Sequence, residues 1–232
     1  MPFSHSPYNA LVIGASGGIG AALASAIDAD PSCANLETLS RSQDGFDVLD
    51  EGGIHNAAAT LRARNESFDL IINATGALEI NGAGPEKSFK EIDPGVMGKA
   101  FQINAVGAAL VIKHFSPLLR RDWKSVFATL SARVGSIGDN RLGGWVSYRA
   151  SKAALNQIVR CAAVEIARAN KDAVVAGLHP GTIDTPMTEK FAKGRYTATP
   201  EECAENLLGV LAALSPKDSG GFFDYAGEAI PW

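Results

Sequence analysis

The stretch Ala10-Leu11-Val12-Ile13-Gly14-Ala15-Ser16-Gly17-Gly18-Ile19-Gly20 decides how the rest of this chain is read. Four apolar residues run into a glycine-rich turn, and the Ala-rich segment that follows begins a helix. Glycines allow the backbone to turn tightly and to come close to an anion. The unpaired N–H groups and the positive dipole end of the following helix then favour negative charge there. The pattern predicts a pyrophosphate held by Gly14, Ser16, Gly17, Gly18, Ile19 and Gly20. The spacing, Gly14-x-x-x-Gly18-x-Gly20, differs from the commoner G-x-G-x-x-G.

Outward from this turn, short apolar runs alternate with longer amphipathic stretches, the pattern of parallel strands joined by crossover helices. Strands are predicted near Ala10 to Ile13, Leu36 to Leu39, Phe46 to Val48, Leu70 to Asn73, Ser125 to Thr129, Val174 to Leu178 and Phe222 to Asp224. Their near-continuous apolar character fits a sheet covered by helices on both faces. Helices are predicted over Ile19 to Ala29, Ile54 to Arg64, Lys99 to Leu119, Tyr148 to Ala169 and Glu201 to Leu214, the last opened by Thr199 and Pro200. This is an α/β chain of the Rossmann type, a doubly wound, mostly parallel seven-stranded sheet. No linker or repeat divides it, so residues 1–232 are expected to form a single domain. The stretches Glu79 to Pro94 and Gly181 to Thr199 are expected to be long loops beyond strand ends, where such sheets bind ligands.

The composition narrows the partners. A formal charge of −4, with Lys and Arg scattered, argues against nucleic acid. The polar N-terminal stretch with Pro2, Ser4, His5, Ser6 and Pro7 lacks the layout of a signal peptide, and no membrane span is expected. Cys33, Cys161 and Cys203 are odd in number and widely spaced, so a disulfide framework is not expected and a reducing cytoplasm fits. His5, His55, His114 and His179 show no metal-binding spacing, and no metal is predicted.

Tyr148 and Lys152 open the longest amphipathic helix, and their i, i+4 spacing puts phenol and ammonium on one face. A free tyrosine titrates near about 10, so work near neutrality requires roughly 3 to 4 kcal/mol in favour of the phenolate. A nearby ammonium pushes in that direction. Downstream of a dinucleotide turn, the pair reads as an acid–base centre.

Taken together, the glycine spacing, the Tyr-x-x-x-Lys pair and Pro180-Gly181 with Thr185 resemble the short-chain dehydrogenases/reductases over almost the whole chain. Asn73, Ala74, Thr75 and Gly76 resemble that family's Asn-Asn-Ala-Gly element, with Ala74 and Thr75 departing from its commonest letters. Asp47 and Val48 stand where the family places an Asp beside the adenine. The resemblance implies that Lys152 also holds the nicotinamide ribose and that Pro180, Gly181, Ile183 and Thr185 lie along the nicotinamide. It also implies that Asn104, in an apolar helix, relays protons to Lys152 through water. The family's carbonyl-polarising serine is less regular here. The position three before Gly135 is Ala132, leaving Ser131 as the preferred candidate and Ser136 as its substitute.

A nicotinamide dinucleotide enzyme selects its cofactor at the end of the second strand, which here reads Ser40 and Arg41 without an acidic residue. NADP is therefore preferred, with NAD possible. The implied reaction is hydride transfer between the nicotinamide and a small carbonyl or alcohol, with Tyr148 giving or taking the oxygen's proton. The run from Ser131 to Tyr148 and the C-terminal segment resemble the carbonyl-reductase branch that includes Sniffer and the bacterial proteins called C-factor. That branch leaves open a second reading, a dinucleotide-binding sensor with little turnover. Trp145 and Met187 are candidates for an apolar pocket, with simple packing as the alternative. Relatives lead one to expect a homodimer or homotetramer.

Overall fold

The computed structural model describes residues 7–64, 66–192 and 194–232, so Pro2, Ser4, His5 and Ser6 of the N-terminal stretch lie outside the described residues. Six strands form one parallel sheet: β1 (Tyr8–Ile13), β2 (Cys33–Leu39), β3 (Leu70–Asn73), β4 (Ser125–Leu130), β5 (Ala173–His179) and β6 (Phe222–Asp224). They are ordered β2-β1-β3-β4-β5-β6. The chain steps from β1 outward to β2 and then returns to the other side of β1 as β3. The crevice beyond the C-terminal ends of β1 and β3 is thus the topological switch point at which doubly wound sheets bind ligands.

The crossovers are α1 (Gly18–Asp28), α2 (Arg41–Asp44), α3 (Glu51–Ala63), α4 (Pro94–Phe101), α5 (Ala108–Phe115), α6 (Val146–Ala169), α7 (Glu189–Ala192) and α8 (Pro200–Ala213). Successive strand residues face opposite sides. Ala10 and Val12 pack with Leu23 and Ile27 of α1 and Leu207 and Leu211 of α8. Leu11 and Ile13 pack with Ile54 of α3, Val111 and Phe115 of α5, and Leu155 and Val159 of α6. Cores on both faces explain why the strands read as continuous apolar runs. Truncating Leu11, fully buried between them, to Ala costs about 2–5 kcal/mol.

Two expectations are corrected. Phe46 to Val48 is not a strand, and among the described residues the sheet has six strands rather than seven. Gly45 enters this segment with a left-handed φ of 67°. The Asp47 side chain then accepts from Leu49 N at 2.9 Å, and Asp50 N donates to the Asp47 carbonyl at 3.0 Å, so the backbone is closed into a turn. The segment is apolar because it packs on a helix: Phe46 meets the Phe115 ring edge-on at 6.0 Å between centroids.

The helix expected over Lys99 to Leu119 starts earlier and is not uniform. Asp93 caps it, accepting from Val96 N at 2.8 Å, with Pro94 in the first turn. Between α4 and α5 the turns widen over Gln102–Gly107 into a π-helical segment. The whole Pro94–Leu118 stretch, 25 residues containing an 18-residue window with a mean hydropathy of 1.4, is long and apolar enough to cross a membrane by length and composition. Here Ala108, Val111, Ile112 and Phe115 bury its apolar face in the sheet's core.

Candidate active site

The turn from β1 into α1 closes on itself. Gly14 takes a φ of 91°, and a Cβ there would stand 3.0 Å from the Ala74 carbonyl carbon. A Cβ on Gly20 would strike the Gly14 carbonyl oxygen, and one on Gly18 would come within 2.6 Å of the Thr185 methyl. These positions are closed to any side chain, so the helix start lies bare. Gly17, its N-cap, offers no side-chain cap to the first-turn N–H groups. The backbone there is ready for an anion.

Two adjoining cavities meet at this turn. One, of about 330 Å³, runs from Ser16, Gly17, Gly18, Ile19 and Gly20 past Ala74, Thr75 and Gly76 to Ser131, Tyr148, Lys152, Pro180 and Thr185. The other, of about 320 Å³, shares Ser16, Gly17 and Ala74 to Gly76, and ends at Gly14, Ser40, Arg41, Asp47 and Val48. Together they make a two-lobed trough with the helix N-terminus at its middle, the shape a dinucleotide with a central pyrophosphate requires.

Four of the sequence candidates, Asn73, Asn104, Gly181 and Ile183, lie outside the lining of either lobe. Asn73 is buried, and its Oδ1 accepts from Thr75 N and Oγ1 at 3.1 and 2.7 Å, which shapes the turn lining both lobes. Ile183 is fully buried in the core, so only its main chain is available to a ligand. Gly181, with a φ of 93°, packs its α-carbon toward Thr197.

Around Tyr148 the groups are buried and connected. Asn104 sits in the π-helical segment, where the widened turn presents its amide to a neighbouring loop. The amide accepts from Ala77 N at 2.9 Å and donates to Ala77 O at 2.9 Å and to Ser151 Oγ at 3.2 Å. Ser151 Oγ donates in turn to the Tyr148 carbonyl at 2.9 Å. Lys152 Nζ donates to Leu130 O at 2.9 Å and stands 5.9 Å from the centre of the Tyr148 ring. Gly76 is hemmed between the two polar groups: a Cβ there would be 3.2 Å from both Asn104 Oδ1 and Lys152 Nζ. Burial pushes the Lys152 ammonium down to about 8 and the Tyr148 phenol up to about 12.

The two serine candidates lie in different surroundings. Ser131 follows β4 and lines the lobe with Tyr148 and Lys152. Ser136 is drawn away: its hydroxyl donates to Pro231 O and accepts from Asp139 N at 3.0 Å.

The comparisons with known proteins meet this geometry. A family model described as enoyl-(acyl carrier protein) reductase matches residues 20–208. The 1-hydroxy-2-glutathionyl-2-methyl-3-butene dehydrogenase of a Rhodococcus species is 31% identical over 189 residues, 81% of this chain and 79% of that protein. The chain belongs to the short-chain dehydrogenase/reductase family. The C-signal protein of Myxococcus xanthus is a further relative, 34% identical over 164 residues, 71% of this chain and 92% of its own. Solved structures show the same fold. The carbonyl reductase Sniffer of D. melanogaster superposes with a TM-score of 0.84 at 20% identity, covering 98% of this chain and 100% of that one. An NADPH-bound carbonyl reductase from chicken fatty liver gives 0.82 at 24% identity, covering 98% and 95%.

As a member of this family the protein is an NAD(P)-dependent oxidoreductase acting on CH–OH or carbonyl groups of small molecules. The two-lobed trough and the side-chain-free glycine turn fit the family's nicotinamide dinucleotide.

Of the two candidates for an apolar pocket, Met187 lines both lobes and Trp145 lines neither, while Ser42, beside Arg41, and Glu86 escaped sequence reasoning. Trp145 packs edge-on against Tyr148 at 6.3 Å and against Phe191 of α7 at 5.8 Å, so it is a wall of aromatic contacts beside the site. Glu86 is the least legible. Trp145, the N-cap of α6, has a left-handed φ of 53° and provides no side-chain cap. Buried Glu86, from a loop 61 positions away, takes that role, accepting from Ser147 N at 3.1 Å and from the Ser147 hydroxyl. Against the pull of burial, these bonds from Ser147 hold its carboxyl below the ordinary range. No local spacing links the two segments. Asn156, by contrast, continues the Tyr148, Lys152 series at i, i+4, i+8, and helical periodicity alone could have found it.

Proposed function

We propose that this chain is a cytoplasmic reductase that converts a small aldehyde or ketone to its alcohol with NADPH, Tyr148 giving the proton and Ser131 polarising the carbonyl. The observation that carries the reading is the shared cavity. Ser131, Tyr148 and Lys152 line one lobe that opens directly onto the bare N-terminus of α1. The bound dinucleotide supplies the hydride for the carbonyl carbon.

The chain's own residues supply the rest. Burial keeps the Tyr148 phenol protonated, which suits an acid in the reducing direction. As its proton passes to the carbonyl oxygen, the Lys152 ammonium 5.9 Å from the ring centre favours the phenolate left behind. The Ser131 hydroxyl donates a hydrogen bond to the same oxygen. Lys152 and Asn104 flank Gly76, an arrangement that suits proton resupply from Asn104 through a water to Lys152. In the other lobe, lined by Arg41, Ser42, Asp47 and Val48, Arg41 and Ser42 would hold the adenosine 2′-phosphate and Asp47 and Val48 would flank the adenine. The nearby Asp44 carboxylate is turned inward, accepting from Ser40 N at 2.7 Å and Oγ at 3.2 Å, which leaves Arg41 free to select NADPH over NADH.

The reading extends to the whole chain as one nucleotide-binding domain, supported by a continuous sheet with core on both faces. It extends to a homodimer or homotetramer through the outer faces of α6 and the neighbouring π-helical segment, where Val164 and Val106 are 50% and 52% exposed. Three free cysteines agree with a reducing compartment.

The test is NADPH and NADH oxidation over benzaldehyde, cyclohexanone and menadione, with Tyr148→Phe in parallel. NADPH-preferring turnover that falls about 10²–10⁴-fold in Tyr148→Phe is expected. Tight NADPH binding without Tyr148-dependent turnover would replace the reductase with a dinucleotide sensor.

A further inference from the structure

Ser131 does not act alone in its pocket. Its hydroxyl donates to Asn156 Oδ1 at 2.6 Å, with both side chains at 4% exposure or less. The other end of that amide, Asn156 Nδ2, is buried with no hydrogen-bond partner among the described residues. An amide N–H₂ held in the interior without an acceptor is unfavourable, and an unpaired carbonyl oxygen is better tolerated.

A half-turn of the amide about Cβ–Cγ exchanges these atoms within almost the same volume. Gly177 on β5 leaves room for it: even a Cβ there would lie 4.0 Å from Oδ1. After the exchange Nδ2 donates to Ser131 Oγ, and the Ser131 proton is released from Asn156. The freed proton is the one a carbonyl-polarising serine needs, since a hydroxyl has one proton to give.

We propose that Asn156 is a positioning residue that directs the Ser131 proton. With Nδ2 toward Ser131 the proton is aimed at the substrate oxygen, and with Oδ1 toward Ser131 it is withdrawn. The helix makes this possible, because Tyr148, Lys152 and Asn156 share one face of α6 and hold donor, cation and amide in a row. The proposal rests on the reading of Ser131 given above.

The experiment is a double-mutant cycle on the full chain, with Ser131→Ala, Asn156→Asp and both together. It uses NADPH and either benzaldehyde or menadione, whichever turns over faster. Asn156→Asp keeps the shape, donating to Ser131 when its carboxyl is protonated and only accepting when it is ionised. Its kcat is expected near wild type at the acidic end of the profile and at least tenfold lower once pH passes the new carboxyl's pKa. Wild type shows no such step, and KM for NADPH is unchanged in the variant. In the Ser131→Ala background, itself about 10²-fold slower, Asn156→Asp adds no further loss. Additive losses, or a loss independent of pH, would overturn the proposal while leaving Ser131 in its role. An undiminished kcat in Ser131→Ala would instead overturn the reading of Ser131 and the proposal with it. If Asn156→Asp does not fold, Asn156→Ser carries the cycle, with the same requirement that its loss vanish when Ser131 is absent.

Discussion

The two lobes of the trough handle charge in opposite ways. In the lobe lined by Arg41 and Ser42 both residues are exposed. In the lobe lined by Tyr148, Lys152 is 3% exposed and its ammonium donates to one backbone carbonyl, that of Leu130. A charge in water costs little and is screened by salt. A charge in the interior costs several kcal/mol, and its protonation moves with its neighbours. Selection between similar cofactors therefore suits the wet lobe, and proton chemistry the dry one.

The sharpest break in that contrast comes from Lys152→Met. Turnover is expected to fall about 10²–10⁴-fold, the range for loss of acid–base function. The cofactor-free protein should nevertheless melt a few degrees higher. The folded-state pKa lies near 8 against an ordinary 10.5, so the buried ammonium destabilises the fold below pH 8. That cost is about 3 kcal/mol. It is relieved as pH rises from 8 toward 10.5, and calorimetry of both proteins across that interval should show the wild type closing the gap. The same titration should bend the kcat/KM profile for reduction, which falls above about pH 8 as Lys152 loses its proton while Tyr148 keeps its own.

At the wet end, Arg41→Ala should raise the Kd for NADPH about 10–100-fold, the worth of a charged hydrogen bond, and leave NADH nearly unchanged. Added salt should weaken NADPH binding in wild type and much less in the variant. Equal losses for both cofactors would show that Arg41 does not read the 2′-phosphate. The smallest effect is expected at Glu86. Glu86→Ala removes the cap of α6 and leaves Ser147 unpaired, costing about 1–3 kcal/mol. Thermal denaturation should show the loss, with Glu86→Gln intermediate because its amide oxygen still accepts.

How far these features could be read beforehand depended on their range along the chain. The glycine turn was legible because one run of residues carries strand, turn and helix start together. The Tyr148–Lys152 pair was legible because i, i+4 on a helix defines a face. Phe46 to Val48 misled because an apolar triplet reads alike whether it pairs in a sheet or packs under a helix. Asp47, whose side chain bonds to the local backbone, tipped it to a turn. Spacing preferred Ser131 with Ser136 as its substitute, and what the letters could not show is the approach of the C-terminal segment, where Pro231 O accepts from Ser136.

By itself the sequence determined the alternating α/β layout, the dinucleotide turn and the helix face bearing Tyr148 and Lys152, because each depends on backbone periodicity or on glycine's freedom over a few residues. Only the tertiary structure decided which serine lines the cavity with Tyr148, which carboxylate caps α6 from 61 positions away, and how far burial moves the Lys152 and Tyr148 protons. Those are matters of distance and dielectric between segments remote in the chain, and they exist only once the sheet has brought the strand ends together.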